Sequence, residues 1–287
     1  MNSILTQMIR NYEVHNINER KNSIKEVMQE IVLCGLARAG FFEKAAFYGG
    51  TALRIFYGLD RFSEDLDFSL MTADPDFHLS GYFPVLEKEI ASYGLNVTVS
   101  EKEKTVDSAV RSAFLKGNTK EHILLFYADP DLGGVAGNEV IKIKFEVDTM
   151  PPDGATYEHK FRLLPAPYGV TLYDLPSLFA GKLHAVICRS WKNRVKGRDL
   201  YDYLFYLSHH AKVNLLHLKA RLTESGLCEK NEKITIEDVK GLLCRRFETI
   251  DYEQAKEDVR PFIKDPTSLN LWSAEFFEQL TEQLQPV

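Results

Sequence analysis

The sequence has few cysteines and no long apolar segment. Its four cysteines lie far apart, with no Cys-x-x-Cys pair and no histidine at zinc-finger spacing. No apolar run approaches the ~18 residues that a membrane-spanning helix needs, and the first residues lack the basic-then-apolar profile of a secretory signal. We therefore expect reduced thiols, no contact with a membrane and a cytoplasmic location.

Several common enzyme motifs are also missing. The chain has no Gly-x-x-x-x-Gly-Lys-Ser/Thr loop, no Gly-x-Gly-x-x-Gly opening, no His-Glu-x-x-His and no Gly-x-Ser-x-Gly. Its eight histidines do not cluster at the spacing of metal ligands. These absences exclude, on pattern, a P-loop enzyme, a dinucleotide-binding fold, a zincin and an α/β-hydrolase.

The charge balance limits how the chain can bind nucleic acid. Its 287 residues are 45% hydrophobic and 26% charged, which fits one large soluble domain or two moderate ones. The formal net charge of -6 argues against wrapping by nucleic acid, because such binding needs many cations to neutralise phosphates. Any contact with nucleic acid must be local.

Periodicity predicts a helix followed by strands in the first part of the chain. Apolar residues recur at helical spacing from Ile24 to Leu36 and predict an amphipathic helix that ends at Gly40. We expect a buried strand at AAFY, a glycine turn, a helix that Thr51 begins and caps, and a strand at LDFSL. A helix near residues 82–93 and alternating strands are expected next, the strands at NVTVS, HILLFYA, VIKIKFEVD and HKFRLLP.

After about Val170 the pattern becomes helical. Apolar residues then recur at spacings of three and four, as in DLPSLFAGKLHAVICRS and RDLYDYLFYLSHH. The predicted fold class is α+β, with a mixed sheet followed by a C-terminal helical bundle. The predicted divisions are an N-terminal helical segment (1–40), an α/β core (41–168) and a helical domain (169–287).

The strongest chemical signal is a glycine turn followed by paired aspartates. Residues two apart on a strand share a face, so Asp65 and Asp67 can hold the same cation or cation pair, and magnesium prefers such oxygen ligands. Gly49 and Gly50 leave the turn free of side chains, so that backbone N–H groups near Thr51 could receive a triphosphate. Each feature alone is common in purely structural roles, whereas their order along the chain indicates phosphoryl transfer.

A basic stretch lies far downstream. Lys182 and Arg189 are seven residues apart on one helical face and could converge on phosphates. Four further cations follow in the expected connecting loop and form either a clamp for a triphosphate or RNA backbone, or a solvated loop paired with acidic residues: Lys192, Arg194, Lys196 and Arg198.

Other charged residues allow two interpretations. Asp199 and Asp202 are three apart on one helical face, where they either orient Lys182 or a ribose, or act as cap and helix-dipole partners. Arg61 and Ser63 either touch phosphate or tie down their loop.

Two blocks of the sequence resemble a known family. FYGGTALRIFYGLDRFSEDLDFSL is similar to the first motif of the AbiEii-type nucleotidyltransferase toxins, within the polymerase-beta-like nucleotidyltransferase superfamily. KLHAVICRSWKNRVKGRDLYDYLFYL resembles the family's downstream pattern of lysine, arginine and aspartate, in a tighter arrangement. The two blocks anchor roughly residues 45–207.

The resemblance implies roles for individual residues. It implies that Asp65 and Asp67 bind two magnesium ions, that Lys182 is the helix lysine and that Asp199 or Asp202 is the aspartate of the next helix. Many superfamily members carry a third carboxylate on a neighbouring strand, for which VIKIKFEVD offers Glu146, our preference, and Asp148. Beside a metal, Glu146 could accept the proton of the attacking hydroxyl, and its alternative role is a polar strand edge.

The resemblance also implies a biological setting. It implies a toxin of a bacterial toxin–antitoxin or abortive-infection system that transfers a nucleotide from a nucleoside triphosphate to an acceptor such as tRNA. A separately encoded antitoxin need not bind the toxin directly. The alternatives are a small-molecule nucleotidyltransferase of the aminoglycoside-modifying kind, which would need an acidic pocket, and a nucleotide-binding interaction module without turnover.

Overall fold

A mixed sheet lies between two layers of helices in the computed structural model, which describes residues 3–101, 119–127, 140–189 and 195–287. Seven strands in these ranges form one sheet in the order β3-β4-β5-β2-β1-β7-β6. The strands are β1 (Ala45–Tyr48), β2 (Leu66–Leu70), β3 (Asn96–Glu101), β4 (Thr119–Tyr127), β5 (Val140–Asp148), β6 (Tyr157–Arg162) and β7 (Tyr168–Tyr173). The α-helices are α1 (Ser3–Arg10), α2 (Ile17–Arg38), α3 (Gly49–Tyr57), α4 (Phe83–Ser92), α5 (Leu175–Cys188), α6 (Gly197–Ser208), α7 (Leu215–Glu224), α8 (Ile236–Phe247), α9 (Tyr252–Val259) and α10 (Ala274–Thr281).

The centre of the sheet brings three chain segments together. β1 runs antiparallel to β2, and β2 runs parallel to β5. In this register Asp67 is the partner of Tyr48 on one side and of Glu146 on the other. The end of β1, the start of β2 and the last part of β5 therefore meet at one edge.

Alternation along the central strands separates two hydrophobic cores. Ala45 and Phe47 of β1 belong to one core, whereas Ala46 between them belongs to the other. Because successive strand residues point to opposite faces, the two cores lie on opposite sides of the sheet. On β2, Leu66 and Phe68 join the first core. Asp67, between them, therefore faces the second core, on the side of the helical half.

Helix α2 supplies much of the first core. The side chain of Asn16 accepts a hydrogen bond from the backbone N–H of Glu19 and caps the helix. α2 packs against α4, β5 and β7. Its two buried carboxylates are paired with arginines, Glu26 with Arg54 at 2.9 Å and Glu30 with Arg162 at 2.8 Å.

The second core consists mainly of α5 to α10 together with α3. Asp174 caps α5 by accepting a hydrogen bond from the backbone N–H of Ser177 at 2.9 Å. The rings of Phe179 on α5 and Tyr206 on α6 stack with centroids 4.5 Å apart. Leu53 of α3 belongs to the same core, so the helix after the glycine turn joins the sheet to the helical half.

The expected fold class is confirmed: the protein is α+β, with a mixed sheet and a C-terminal helical bundle. β7 was not expected, because the change to helical spacing was placed at about Val170, within this strand, although Tyr168, Val170 and Leu172 alternate with Gly169 and Thr171. The expected helix start at Thr51 is wrong, since α3 begins at Gly49.

The proposed division into 1–40, 41–168 and 169–287 stays a prediction. Two contacts bear on it: β7 begins at Tyr168 and pairs with β1 and β6, and α2 packs on the sheet. None of the helices in the described ranges is long and apolar enough to cross a membrane.

Candidate active site

The glycine turn between β1 and α3 touches two other predicted site residues. Gly49 has a φ of 81°, which side chains rarely adopt, and a β-carbon there would lie 2.5 Å from Oδ2 of Asp67. A β-carbon on Gly50 would lie 2.8 Å from Nη2 of Arg61 and 3.0 Å from Oγ of Ser63. The turn therefore requires glycine at both positions so that its backbone can approach these side chains.

Thr51 holds the aspartate segment in place. Its fully buried side chain donates a hydrogen bond from Oγ1 to the backbone carbonyl of Asp65. The expectation that Thr51 caps the helix is wrong, because the N-cap position belongs to Tyr48 and Thr51 is the third helical residue. Its contacts favour a structural role, which ties the first turn of α3 to Asp65.

Three carboxylates approach one another at this edge of the sheet. Glu146 lies beside Asp67 in the register of β5 and β2, and Asp65 directly precedes β2. Burial, Glu146 and Asp65 raise the pKa of Asp67 to about 7. Burial also raises the pKa of Asp65, against the opposing charge of Lys144. The site thus disfavours negative charge on both Asp65 and Asp67.

The third carboxylate is not free in this arrangement. Lys144, two residues earlier on β5, forms an ion pair with Glu146. Among the residues that the structure describes, no three acidic, histidine or cysteine side chains form a ready-made metal-binding group. Asp65 and Asp67 remain as a pair of oxygen ligands, which suffices for magnesium when phosphate oxygens supply the rest.

Asp148, the other candidate on β5, lies further along the strand. It pairs in register with Ser69, and its Oδ1 accepts a hydrogen bond from the backbone N–H of Met150 at 3.0 Å. Burial raises the pKa of Asp148. The register therefore places Glu146, rather than Asp148, next to Asp67.

Helix α2 supports the loop that precedes Asp65, which the sequence alone did not indicate. The amide of the fully buried Gln29 donates hydrogen bonds to the carbonyls of Ser63 at 3.2 Å and Glu64 at 2.9 Å. Lys25 forms an ion pair with Glu64 at 2.9 Å. Both contacts fix the backbone immediately before the aspartate pair.

A network of charged side chains faces this edge from the helical half. Arg61 donates from Nε and Nη2 to the two carboxylate oxygens of Asp202, each at 2.6 Å. Lys182 lies between the aspartates, 2.7 Å from Asp199 and 2.8 Å from Asp202. Arg189 donates to the other oxygen of Asp199 at 2.7 Å. The structure thus brings five predicted site residues into one continuous chain of ion pairs.

The cations keep both carboxylates of this network ionised. Burial alone would raise the pKa of Asp199, but Lys182 and Arg189 hold it well below its usual range. Arg61 and Lys182 likewise lower the pKa of Asp202 against the effect of burial. Asp202 is enclosed and bound by Arg61 at both oxygens, whereas Asp199 links Lys182 to Arg189.

Arg189 is the most exposed member of the network. About half of its side chain is accessible, 49%, compared with 15% for Lys182 and 4% for Arg61. Its charge partly opposes the rise in the pKa of Asp67, so the guanidinium lies within electrostatic range of that carboxylate. Arg246 donates to the carbonyls of Val186 at 3.1 Å and Arg189 at 2.6 Å and so holds the end of α5, a role that the sequence did not indicate.

Arg198 points to a different set of partners. Its guanidinium lies 3.8 Å from Glu64, 3.8 Å from Asp258 and 4.3 Å from the centroid of the Phe262 ring. These contacts favour the structural interpretation over nucleotide binding. The expectations for Lys192 and Arg194 lie outside the described residues.

The fold is shared with solved structures. JHP933 from Helicobacter pylori superposes with a TM-score of 0.52 and 17% identity, covering 90% of this chain and 89% of that one. MenT4, a nucleotidyltransferase toxin of Mycobacterium tuberculosis H37Rv, superposes with a TM-score of 0.52 and 15% identity, covering 99% and 88%. At these identities the likeness establishes the fold, which is that of a nucleotidyltransferase toxin. No curated protein matches the chain at a significant level.

The family is shown by a match over most of the sequence. Residues 31–280 match the family described as the nucleotidyl transferase AbiEii toxin of type IV toxin–antitoxin systems. The chain belongs to this family of nucleotidyltransferases. The resemblance carried by the two sequence blocks is confirmed, and the match extends beyond them towards the C-terminus.

Proposed function

We propose that this toxin is a magnesium-dependent enzyme that transfers a nucleoside monophosphate from a nucleoside triphosphate to an RNA acceptor such as the end of tRNA. The observation that carries the proposal is the position of Asp65 and Asp67. Asp67 lies against the Gly49 turn and within range of the charge of Arg189, which together with Lys182 forms a cationic wall of the site, and Asp65 lies two positions before Asp67. Carboxylates opposite cations suit a metal-bound triphosphate.

The aspartate pair fits magnesium on chemical grounds. Burial and neighbouring carboxylates raise the pKa values of both side chains, so a bound cation would relieve their repulsion. Two ions held by Asp65 and Asp67 would stabilise negative charge on the reacting phosphate and on the departing pyrophosphate.

The chain's own residues supply the remaining functions. The backbone N–H groups of Gly49 and Gly50 begin α3, where a helix N-terminus attracts phosphate. Lys182 and Arg189 contact the triphosphate, while Asp199 orients both of them. Arg61 and Asp202 are buried behind this surface and support Lys182 rather than the nucleotide.

Glu146 is proposed to receive the proton of the attacking hydroxyl. It is the carboxylate beside Asp67, and its partner Lys144 lies on the same face of β5. Release of Glu146 from Lys144 would give it a free oxygen for this proton.

An RNA acceptor is supported by charge. The segment from Lys182 to Arg198 is basic in a chain of net charge -6, whereas an aminoglycoside-like substrate would need an acidic surface there. Membership of a toxin–antitoxin family supports a separately encoded antitoxin as the partner that counteracts the activity.

The proposal is tested by incubating the protein with magnesium, each labelled nucleoside triphosphate in turn and total bacterial RNA. We expect label in tRNA, and no label above background with Asp65→Asn, because the amide cannot replace a carboxylate ligand. Asp76→Asn, which changes an exposed aspartate, is the matched control and should retain activity. Activity that survives in folded Asp65→Asn would overturn the metal-site assignment. Label in no RNA would direct the search to small acceptors or to binding without turnover.

A further inference from the structure

Arg221 of α7 lies beside the proposed phosphate-binding wall and has no role in the account above. A β-carbon built on Gly181 of α5 would lie 3.8 Å from both Cζ and Nε of Arg221. The guanidinium of Arg221 therefore lies against α5 at Gly181, at ordinary contact distance. Gly181 directly precedes Lys182, so Arg221 contacts α5 next to the lysine of the proposed site.

A buried histidine fixes the direction of this guanidinium. Nε of Arg221 donates to Nε2 of His217 at 2.9 Å, and Nδ1 of His217 lies 3.0 Å from the carbonyl oxygen of Asp153. The carbonyl can only accept, so Nδ1 carries the hydrogen and Nε2 offers its lone pair. Burial and the charge of Arg221 lower the pKa of His217 to about 4, which keeps the ring neutral.

The guanidinium shares a neighbour with the metal-binding edge. Tyr48 is the register partner of Asp67, and its ring stacks on Tyr173 with centroids 5.4 Å apart. Arg221 acts on the hydroxyls of both tyrosines, through its charge on Tyr48 and through charge and a hydrogen bond on Tyr173. Arg221 and Asp67 therefore border the same stretch of the cleft.

Arg221 differs from the other cations of the wall in its partners. Arg61, Lys182 and Arg189 each form an ion pair with Asp199 or Asp202. Within the described ranges, no carboxylate forms an ion pair with Arg221, whose side-chain acceptors are His217 and Tyr173. Its charge acts on the carboxylates of Asp148 and Glu224 without an ion-pair contact to either.

We propose that Arg221 is a phosphate-binding residue that completes the cationic wall of the cleft. An arginine fork matches two phosphate oxygens, and with Nε engaged by His217 a phosphate would be contacted by the Nη groups, one of which would exchange Tyr173 for the ligand. The inference rests on the proposed function, which brings phosphate to this cleft in two forms, the triphosphate of the nucleotide and the backbone of the RNA acceptor.

Steady-state kinetics of Arg221→Gln separates these sources. A KM for the nucleotide raised about tenfold or more, with an unchanged KM for RNA, supports contact with the triphosphate. The reverse pattern supports contact with the RNA backbone. The matched control is Arg245→Gln, which changes an exposed arginine of α8. This arginine also lies over a glycine, since a β-carbon built on Gly241 would be 3.6 Å from Nη1 of Arg245. Both KM values unchanged in folded Arg221→Gln would overturn the inference.

Two further measurements keep the test decisive. If Arg221→Gln does not fold, Arg221→Lys retains the charge but loses the fork, and a severalfold rise in either KM supports the site whereas unchanged values overturn it. If the wild-type protein transfers no nucleotide, the proposed function fails, but calorimetric titration with inorganic triphosphate still tests Arg221. Binding about tenfold weaker in Arg221→Gln than in wild type supports the phosphate site, and equal binding overturns it.

Discussion

One pair of aspartates lies at the sheet edge and another on α6 of the helical half, and their surroundings shift their pKa values in opposite directions. Burial and neighbouring carboxylates raise the pKa values of Asp65 and Asp67 at the sheet edge. In the helical half, nearby cations overcome the effect of burial and lower the pKa values of Asp199 and Asp202. Asp65 and Asp67 are therefore left with unbalanced negative charge, whereas the charge of Asp199 and Asp202 is balanced by nearby cations.

This difference distinguishes the proposed ligand site, Asp65 and Asp67, from a structural support, in which Asp199 and Asp202 pair with cations of the protein. The negative charge of Asp199 and Asp202 is neutralised by Arg61, Lys182 and Arg189 within the protein. At the sheet edge Lys144 offsets only part of the effect of burial, which supports the proposed binding of a cation there. Asp-x-Asp and Asp-x-x-Asp spacings alone do not reveal this distinction, which depends on the partners that the fold provides.

The largest expected effect comes from removing one carboxylate of the balanced pair. Asp202→Ala should lower the free energy of unfolding by about 3–5 kcal/mol, because it leaves Arg61 buried without a counter-charge. Urea unfolding followed by circular dichroism measures the loss. Asp67→Asn is the matched change on the other wall and should leave stability equal or higher at pH 8, since it removes a charge that the site disfavours. Similar losses in both variants would contradict the comparison.

Protonation of Asp199 and Asp202 in acid should lower the free energy of unfolding less than Asp202→Ala does. The reason is that a protonated carboxyl still offers a hydrogen-bond partner to Arg61 and Lys182. The pKa values of Asp199 and Asp202 are lower in the folded state than in the unfolded chain. Their stabilisation is therefore complete above the unfolded value of about 3.9 and is lost as the pH falls through the folded values. Unfolding free energies between pH 6 and pH 2 should fall more steeply in wild type than in Asp202→Asn. Equal slopes would show that Asp202 does not titrate in this way.

The smallest expected effect concerns the loop that carries the unbalanced pair. Gln29→Met keeps the side-chain length but removes both hydrogen bonds to the loop, at a cost of about 1 kcal/mol in stability. We expect kcat to fall about tenfold with KM unchanged, because a loosened loop misplaces Asp65 without removing a substrate contact. Gln7→Met, an exposed change on α1, is the control. An unchanged kcat in folded Gln29→Met would show that the aspartates need no support from α2.

The sequence predicted the sheet edge because its parts are local. Residues 45–70 contain the strand, the glycine turn, the helix and the second strand in immediate succession, and each has its own signal in spacing or residue type. β5 showed a clear alternation of apolar and charged residues, which allowed Glu146 to be placed on the polar face. The register of β5 with β2 could not be predicted, because the sequence of one strand does not show which residue of the neighbouring strand lies opposite.

The contact of Lys182 with Asp199 and Asp202 was one of two interpretations of the sequence, whereas partners more distant in sequence could not be predicted. Arg61 and Asp202 are 141 positions apart, and Gln29 and Glu64 are 35 apart. Nothing in the local sequence of Arg61 shows that it binds a carboxylate rather than a phosphate. Arg221 and His217 are close in sequence, but an arginine four residues after a histidine does not by itself predict a binding site. The contact of Arg221 with α5 at Gly181 is seen only in the structure.

The ion pair of Arg61 and Asp202 has a consequence for how the cleft moves. Arg61 belongs to the loop between α3 and β2, whereas Asp202 belongs to α6, and both side chains are almost fully enclosed. A hinge motion that separated the loop of Arg61 from α6 would expose both charges and break two hydrogen bonds at once. Opening at this point is therefore costly, and we expect the ion pair to stay closed while nucleotide enters and pyrophosphate leaves.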